Sequence, residues 1–342
     1  MQLHWEKHTL QFIKPAKTSR GEYTQKEHIL VFLSQNRVTG CGEAAPLPDL
    51  SIDGQAPLVE VLTQLQYFAA ENYPISEWLR LTAEYPSLQF AIESAFLDLQ
   101  NGGKGVVFPG PFTEGNESIT FNGLVWMNTI EDMWEEAQSK MAQGFSCLKF
   151  KVGALDTDSE CRLLEKVRNL KNAFNLTIRL DANGAWSADE ALRHLKEFAR
   201  FEVHSIEQPI KAGQPEAMQE VCAKSPIPVA LDEEMIGVSP EKAENLLKTI
   251  RPAFVVLKPT LLGGFTACDN WIAQAQKQNI GWWATSALEG NIGLSAIAQW
   301  AATKHNPLHQ GLGTGALYQN NFLSRTRTEK DRMWFLQKPA TI

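Results

Sequence analysis

The chain has 342 residues, of which 44% are hydrophobic and 21% charged, with a formal net charge of −7. That length predicts two domains, one of them large. The acidic balance argues against nucleic acid or an anionic membrane surface as a partner. No apolar run approaches the ~20 residues of a membrane span, so no membrane insertion is expected. The opening MQLHWEKHTL lacks the basic-then-apolar plan of a signal peptide. Five scattered cysteines (Cys41, Cys147, Cys161, Cys222 and Cys268) show no CxxC spacing and read as reduced thiols of a cytoplasmic protein.

Residues 1–115 read as an α+β domain. WEKHTLQFIKP, KEHILVFLSQN and the segment ending in CGEAAP have the pattern of antiparallel strands, and APLVEVLTQLQYFAAEN and SLQFAIESAFLDLQNGG that of helices. From about 116 to 315 the pattern changes. Apolar strand-like runs alternate with amphipathic helices: SITFNGLVWM, CLKFKVG, TIRLDAN, VHSIEQP, PVALDEE, AFVVLKP, GWWATSA and HQGLGTG make eight candidate strands. Ser187 is placed to cap the helix after the third, with Asp189 and Glu190 in its first turn. Continuous apolar strands suit a parallel sheet wrapped in helices, hence an α/β fold with a (β/α) barrel. The last stretch, about 316–342, follows the eighth strand and is expected to pack back on the first domain. GLGTG is only a weak phosphate signal.

A ladder of charges ends these runs. Lys149 and Lys151 close CLKFK, Asp181 closes TIRLD, Glu207 closes SIE, Asp232 follows PVAL and Lys258 follows FVVL. Residues 151, 181, 207, 232 and 258 stand 30, 26, 25 and 26 apart. A βα unit takes about 25–30 residues, so each charge falls where a buried strand runs out, on the barrel rim that carries chemistry. A single such charge is most often a solvated strand end. Six in register, with chemistry that fits together, point to a site.

Asp181, Glu207 and Asp232 offer only hard oxygen ligands, a set suited to Mg²⁺. Lys149 and Lys151 share a strand face, and Lys258 stands on the far side of the carboxylates. Opposed amines beside a metal suit removal of a proton α to a carboxylate, where a cation offsets the enediolate charge. The base must be neutral near pH 7, and Lys149 is placed to depress the pKa of Lys151. Asn183 and Arg179 share the parity of Asp181 and are expected to face inward, as support or as substrate contacts. Glu233 is expected to point the other way. His204, in a strand, and His194, in a helix, read as packing residues.

KFK, DAN, EQP, DE and KP on consecutive strands resemble the enolase superfamily, in its muconate-lactonising subgroup. TSRG, CGEAAPLPDLS, TSALEGNIG and QGLGTGALYQNN most resemble the o-succinylbenzoate synthases of menaquinone biosynthesis within it. The resemblance implies a modified (β/α)8-type barrel, of the enolase-like (β/α)7β kind, beneath an N-terminal α+β capping domain. A lysine base with Mg²⁺ is the arrangement known for such sites. It further implies that Lys151 removes and returns the proton in a dehydration of a small-molecule carboxylate. Lys258 would stay protonated, and Asp181, Glu207 and Asp232 would hold Mg²⁺. Ser286 would help bind a carboxylate, and loops around Ser19–Arg20 and Pro48–Ser51 would close over the substrate.

An N-acylamino acid racemase or a dipeptide epimerase would use the same lysines and metal. The eighth-strand GLGTG lacks the acid that epimerases use for a substrate amino group, which counts against the epimerase only. A non-catalytic barrel is disfavoured by the intact set of lysines and carboxylates. The oligomeric state is left open.

Overall fold

The computed structural model describes residues 1–18 and 21–340. Strands β1 (Gln2–Thr18), β2 (Gly21–Gln35) and β3 (Val38–Ala44) form an antiparallel sheet in sequence order. Helices α1 (Leu58–Ala70), α2 (Ile75–Leu81) and α3 (Pro86–Gln100) follow. Val31, Leu33, Leu62, Leu65, Trp78 and Ile92 fill the core between sheet and helices. Helix α3 lies directly on β3. A Cβ at Gly42 would stand 1.9 Å from the Ala91 carbonyl oxygen, so only glycine permits this approach.

The second unit begins with β4 (Ser118–Thr120) and β5 (Gly123–Val125). Then come α4 (Ile130–Ala142), β6 (Cys147–Lys151), α5 (Thr157–Leu170), β7 (Thr177–Asp181), α6 (Ala188–Phe198), β8 (Ser205–Glu207), α7 (Pro215–Lys224), β9 (Val229–Leu231) and α8 (Pro240–Ile250). The series ends with β10 (Phe254–Leu257), α9 (Pro259–Leu262), α10 (Gly264–Gln276), β11 (Gly281–Ala284) and α11 (Asn291–Thr303). Strands β5 to β11 form one seven-stranded sheet in sequence order, every pair parallel. Helix starts are capped as their sequences dictate. Ser187 and Glu190 form a reciprocal capping box on α6, and Asp156 accepts from the Ser159 amide on α5.

Two of the eight expected strands take another form. SITFNGLVWM is divided: Ser118–Thr120 pairs with the C-terminal hairpin, and only Gly123–Val125 joins the parallel sheet. The eighth strand is reduced to a seam, where Gln310 bridges to Phe121 and Gly311 to Thr285, both parallel. A Cβ on Gly311 would stand 1.7 Å from the Thr285 hydroxyl oxygen. The glycine therefore serves close backbone approach at this seam.

Strands β12 (Ser324–Glu329) and β13 (Arg332–Ala340) form a hairpin whose second strand pairs with β4. Between the seam and this hairpin, Leu317–Asn320 runs along β1: the Ile13 amide donates to Leu317 and the Gln319 amide to Gln11. Among the described residues no helix is long and apolar enough to cross a membrane.

Candidate active site

Period-two alternation sorts the barrel strands into an outer and an inner face. Leu148, Phe150, Ile178, Leu180, Ile206 and Leu257 pack outward against the helices. The parallel register sets Lys149 beside Arg179, and Lys151 beside Asp181, itself beside Glu207. These side chains reach into the barrel near its C-terminal rim.

There the predicted ladder converges. The Lys149 ammonium donates to Asp181 Oδ2 at 2.9 Å and to Glu207 Oε2 at 3.0 Å. Lys151 donates to Asp181 Oδ2 at 2.6 Å and to Asn183 Oδ1 at 2.5 Å. Lys258 is paired with Asp232. All three carboxylates are buried. Burial opposes ionisation of Asp181, but Lys149 and Lys151 override it and hold that carboxyl well below the usual range. Burial, reinforced by Asp181, pushes Glu207 up to about 8, and burial also raises Asp232. On Lys149 the effect of burial is more than offset by Asp181 and Glu207, so its ammonium is held above the ordinary lysine range. Lys149 is thus answered by two carboxylates of its own, and does not stand as a free charge beside Lys151.

Among the described residues, no three His, Cys, Asp or Glu side chains close on a common point that could hold a metal ion. Lysine ammonium groups lie between the acids instead. The donor chemistry nevertheless fits Mg²⁺: three buried carboxylates on successive strand ends, without nitrogen or sulfur donors among them, require cationic compensation.

Glu233 departs from the expectation of an outward side chain. It lines the cleft, and its Oε1 accepts from Asn183 Nδ2 at 2.9 Å. The strand ends at Leu231, and Asp232 (φ −129°, ψ −84°) turns the chain into a short 3₁₀ segment, so alternation no longer holds. Asn183 occupies a left-handed turn (φ 45°), with its amide donating to Asp181 Oδ1. Arg179 faces inward as expected, but one layer below the site. It neither braces Asp181 nor lines the cleft: its guanidinium lies 4.0 Å from the Trp283 ring centroid and donates to the His309 carbonyl. His204 precedes its strand and stacks on Phe254. His194 is hydrogen-bonded to Thr157.

The site opens into a cleft that both Lys151 and Lys258 reach. Leu124, Trp126, Ala287 and Leu288 give it apolar walls, and Tyr23, Leu47 and Leu50 approach from the N-terminal unit. The Pro48–Ser51 loop thus borders the cleft through Leu50, whereas Ser19 and Arg20 lie outside the described residues. Ser286 also lines the cleft, but its hydroxyl proton is committed to Glu289 Oε2 at 2.5 Å while its oxygen accepts from the Leu288 amide. Sequence reasoning misplaced Glu233 and missed Trp126, Gln208 and Glu234. Gln208, in EQP, is a brace: its Oε1 accepts the Asp232 amide and its Nε2 donates to Glu234. Its place directly after the Glu207 rung was the available signal.

Residues 132–339 match the family model described as enolase C-terminal domain-like. The chain belongs to that family. It is 41% identical to the o-succinylbenzoate synthase of Desulfotalea psychrophila, with 95% of this chain and 96% of the relative covered. The crystal structure of MenC from the same organism superposes with a TM-score of 0.86 at 37% identity, covering 98% of this chain and 99% of that one. A dipeptide epimerase from Enterococcus faecalis, complexed with Mg and dipeptide L-Leu-L-Tyr, shares the enolase-superfamily fold (TM-score 0.85). Its identity is 19%, over 99% of this chain and 97% of that one.

Proposed function

We propose that this enolase-family chain is an o-succinylbenzoate synthase. Its reaction is the syn dehydration of 2-succinyl-6-hydroxy-2,4-cyclohexadiene-1-carboxylate, a step of menaquinone biosynthesis. The observation that carries the reading is a single cleft reached by two lysines from strands on opposite sides of a carboxylate group, in a chain 41% identical to a synthase over nearly its whole length.

In this reading Lys151, as the free amine, takes the proton from the ring carbon bearing the carboxylate. The electron pair left behind spreads into that carboxylate as an enediolate. Lys258 keeps its proton and faces the developing negative charge from the far wall, beyond β7, β8 and β9. Lys151, now an ammonium, gives its proton to the departing hydroxyl on the same face, so water leaves, the ring becomes aromatic and the amine is regenerated. Asp181, Glu207 and Asp232 would hold Mg²⁺, whose positive charge offsets that of the substrate carboxylate oxygens. Asn183 orients the Lys151 amine, and Glu233 orients Asn183 in turn. Leu124, Trp126 and Leu288 exclude water around the ring.

The test is turnover of the purified protein on the cyclohexadiene precursor, beside a panel of N-succinyl amino acids and dipeptides. Rapid dehydration is expected. Fast racemisation of an N-succinyl amino acid with no dehydration would overturn the assignment.

A further inference from the structure

We propose that Lys26, on β2 of the N-terminal sheet, is a positioning residue. It fixes the cleft wall formed by Ser286, Ala287 and Leu288, and so sets substrate affinity from outside the barrel. The inference rests on the dehydration proposed above and adds a determinant of binding that makes no contact with substrate.

Lys26 is only 4% exposed, yet it pairs with no carboxylate within 4.0 Å among the described residues. Its ammonium instead donates to two consecutive carbonyls, Ala287 at 2.9 Å and Leu288 at 3.0 Å. Burial lowers it to about 8, with Glu289, Glu43 and Asp53 drawing it back up, so the group is charged at neutral pH. A buried charge solvated by main-chain carbonyls makes strong, directional bonds to them.

The segment it grips is held by bonds of its own, among Ser286, Ala287, Leu288 and Glu289, and by groups from elsewhere in the chain. Leu288 sits at φ 61°, a left-handed conformation costly for a residue with a Cβ, three residues after the seam on Thr285. Its carbonyl accepts a second bond from the Tyr318 hydroxyl at 2.7 Å. On the other side Glu289 takes the Ser286 hydroxyl, the Ala287 amide and the Thr260 hydroxyl. Glu43, on β3, takes the Gly290 and Gly293 amides. The conformation of 286–290 is therefore set jointly by local bonds to Glu289 and Ser286 and by groups far away in the chain, and Lys26 is the one that holds two adjacent carbonyls of this wall. Lys151 and Lys258 stand on other strands, so loosening this wall leaves the proton-transfer groups in place.

Lys26→Met removes the donors and keeps the bulk. We expect its KM for the cyclohexadiene carboxylate to rise by about tenfold or more, with kcat within about threefold of the wild type. Hydrogen exchange at the Ala287, Leu288 and Gly290 amides should accelerate while the β6 and β7 amides keep their protection. Tyr318→Phe, which removes the other donor to Leu288, should shift KM and exchange in the same direction by less. The double variant should then fall short of the product of the two. If Lys26→Met fails to fold, Lys26→Arg, which keeps a charged donor but alters its reach to the two carbonyls, decides the matter by a smaller shift of KM and exchange in the same direction. An unchanged KM with unchanged exchange at 287–290 overturns the proposal, as does a loss confined to kcat. If the wild type does not dehydrate the precursor, the functional assignment fails while the exchange measurement still reads the role of Lys26.

Discussion

The same barrel strands build two interior layers of opposite character, two residues apart. The upper layer holds Asp181, Asp232, Lys258 and Thr285, of which Lys258 and Thr285 line the cleft and the two aspartates are buried beside it. In the lower layer the same strands carry Arg179, Ala230, Val256 and Trp283. Trp283 is packed by Phe254, by His204 and by the Arg179 guanidinium. Above, buried charges answer one another and leave open space; below, rings and small side chains fill the bore. Chemistry is confined to the layer where strands end, because only there can the chain supply loops, such as the turn at Asp232, that aim further groups at the same point.

The strongest challenge to this division is removal of divalent ions. Chelation should abolish turnover, and Mg²⁺ should restore it better than Ca²⁺, which prefers longer bonds and more ligands than three carboxylates and substrate supply. Turnover that persists with metal content shown to be nil would place no metal in the upper layer.

Lys151→Ala comes next. Loss of the general base should lower kcat by at least about 10²–10⁴-fold while the melting temperature stays near that of the wild type. A near-normal kcat would remove Lys151 from its role.

The lower layer should respond in the opposite way. Trp283→Ala should cost about 3–5 kcal/mol of stability through the cavity it leaves, read by denaturant unfolding. Below the onset of unfolding, the surviving enzyme should keep its KM. A large change of KM at full folding would mean that the layers are coupled.

Lys258→Arg is the mildest of these changes, since it keeps the charge but is a very poor proton acceptor. Dehydration should persist at a measurable fraction, a loss on the order of tenfold, smaller than that of Lys151→Ala. Interconversion of any N-acyl amino acid should stop, while α-hydrogen exchange with solvent deuterium through Lys151 should survive for one enantiomer. Complete loss of dehydration would show that Lys258 does more than supply charge.

Much of the upper layer was readable before any coordinates. Asp181, Glu207, Asp232, Lys149, Lys151 and Lys258 are brought together where strand spacing put them, because one repeating βα length fixes register around a barrel. Glu233 was misread because alternation was carried two residues past the end of β9 at Leu231. Arg179 was correctly faced inward, but parity alone does not say which layer a side chain occupies. The seam at Gln310 and Gly311 was read as a full strand, since GLGTG gives no sign of how few backbone bonds it makes.

The sequence by itself determined the alternation of strands and helices, the N-terminal antiparallel strands, and the chemistry at each strand end. These depend on local periodicity and on side-chain type, which a chain carries in its order of residues. Only the tertiary structure decided that Lys149 spends its charge on Asp181 and Glu207, that the Ser286 hydroxyl donates to Glu289, and that Lys26 grips a loop 261 residues away. Contacts of that kind follow from how distant segments pack, and a buried ammonium is held wherever packing offers it carbonyls, with no spacing in the sequence to announce the pair.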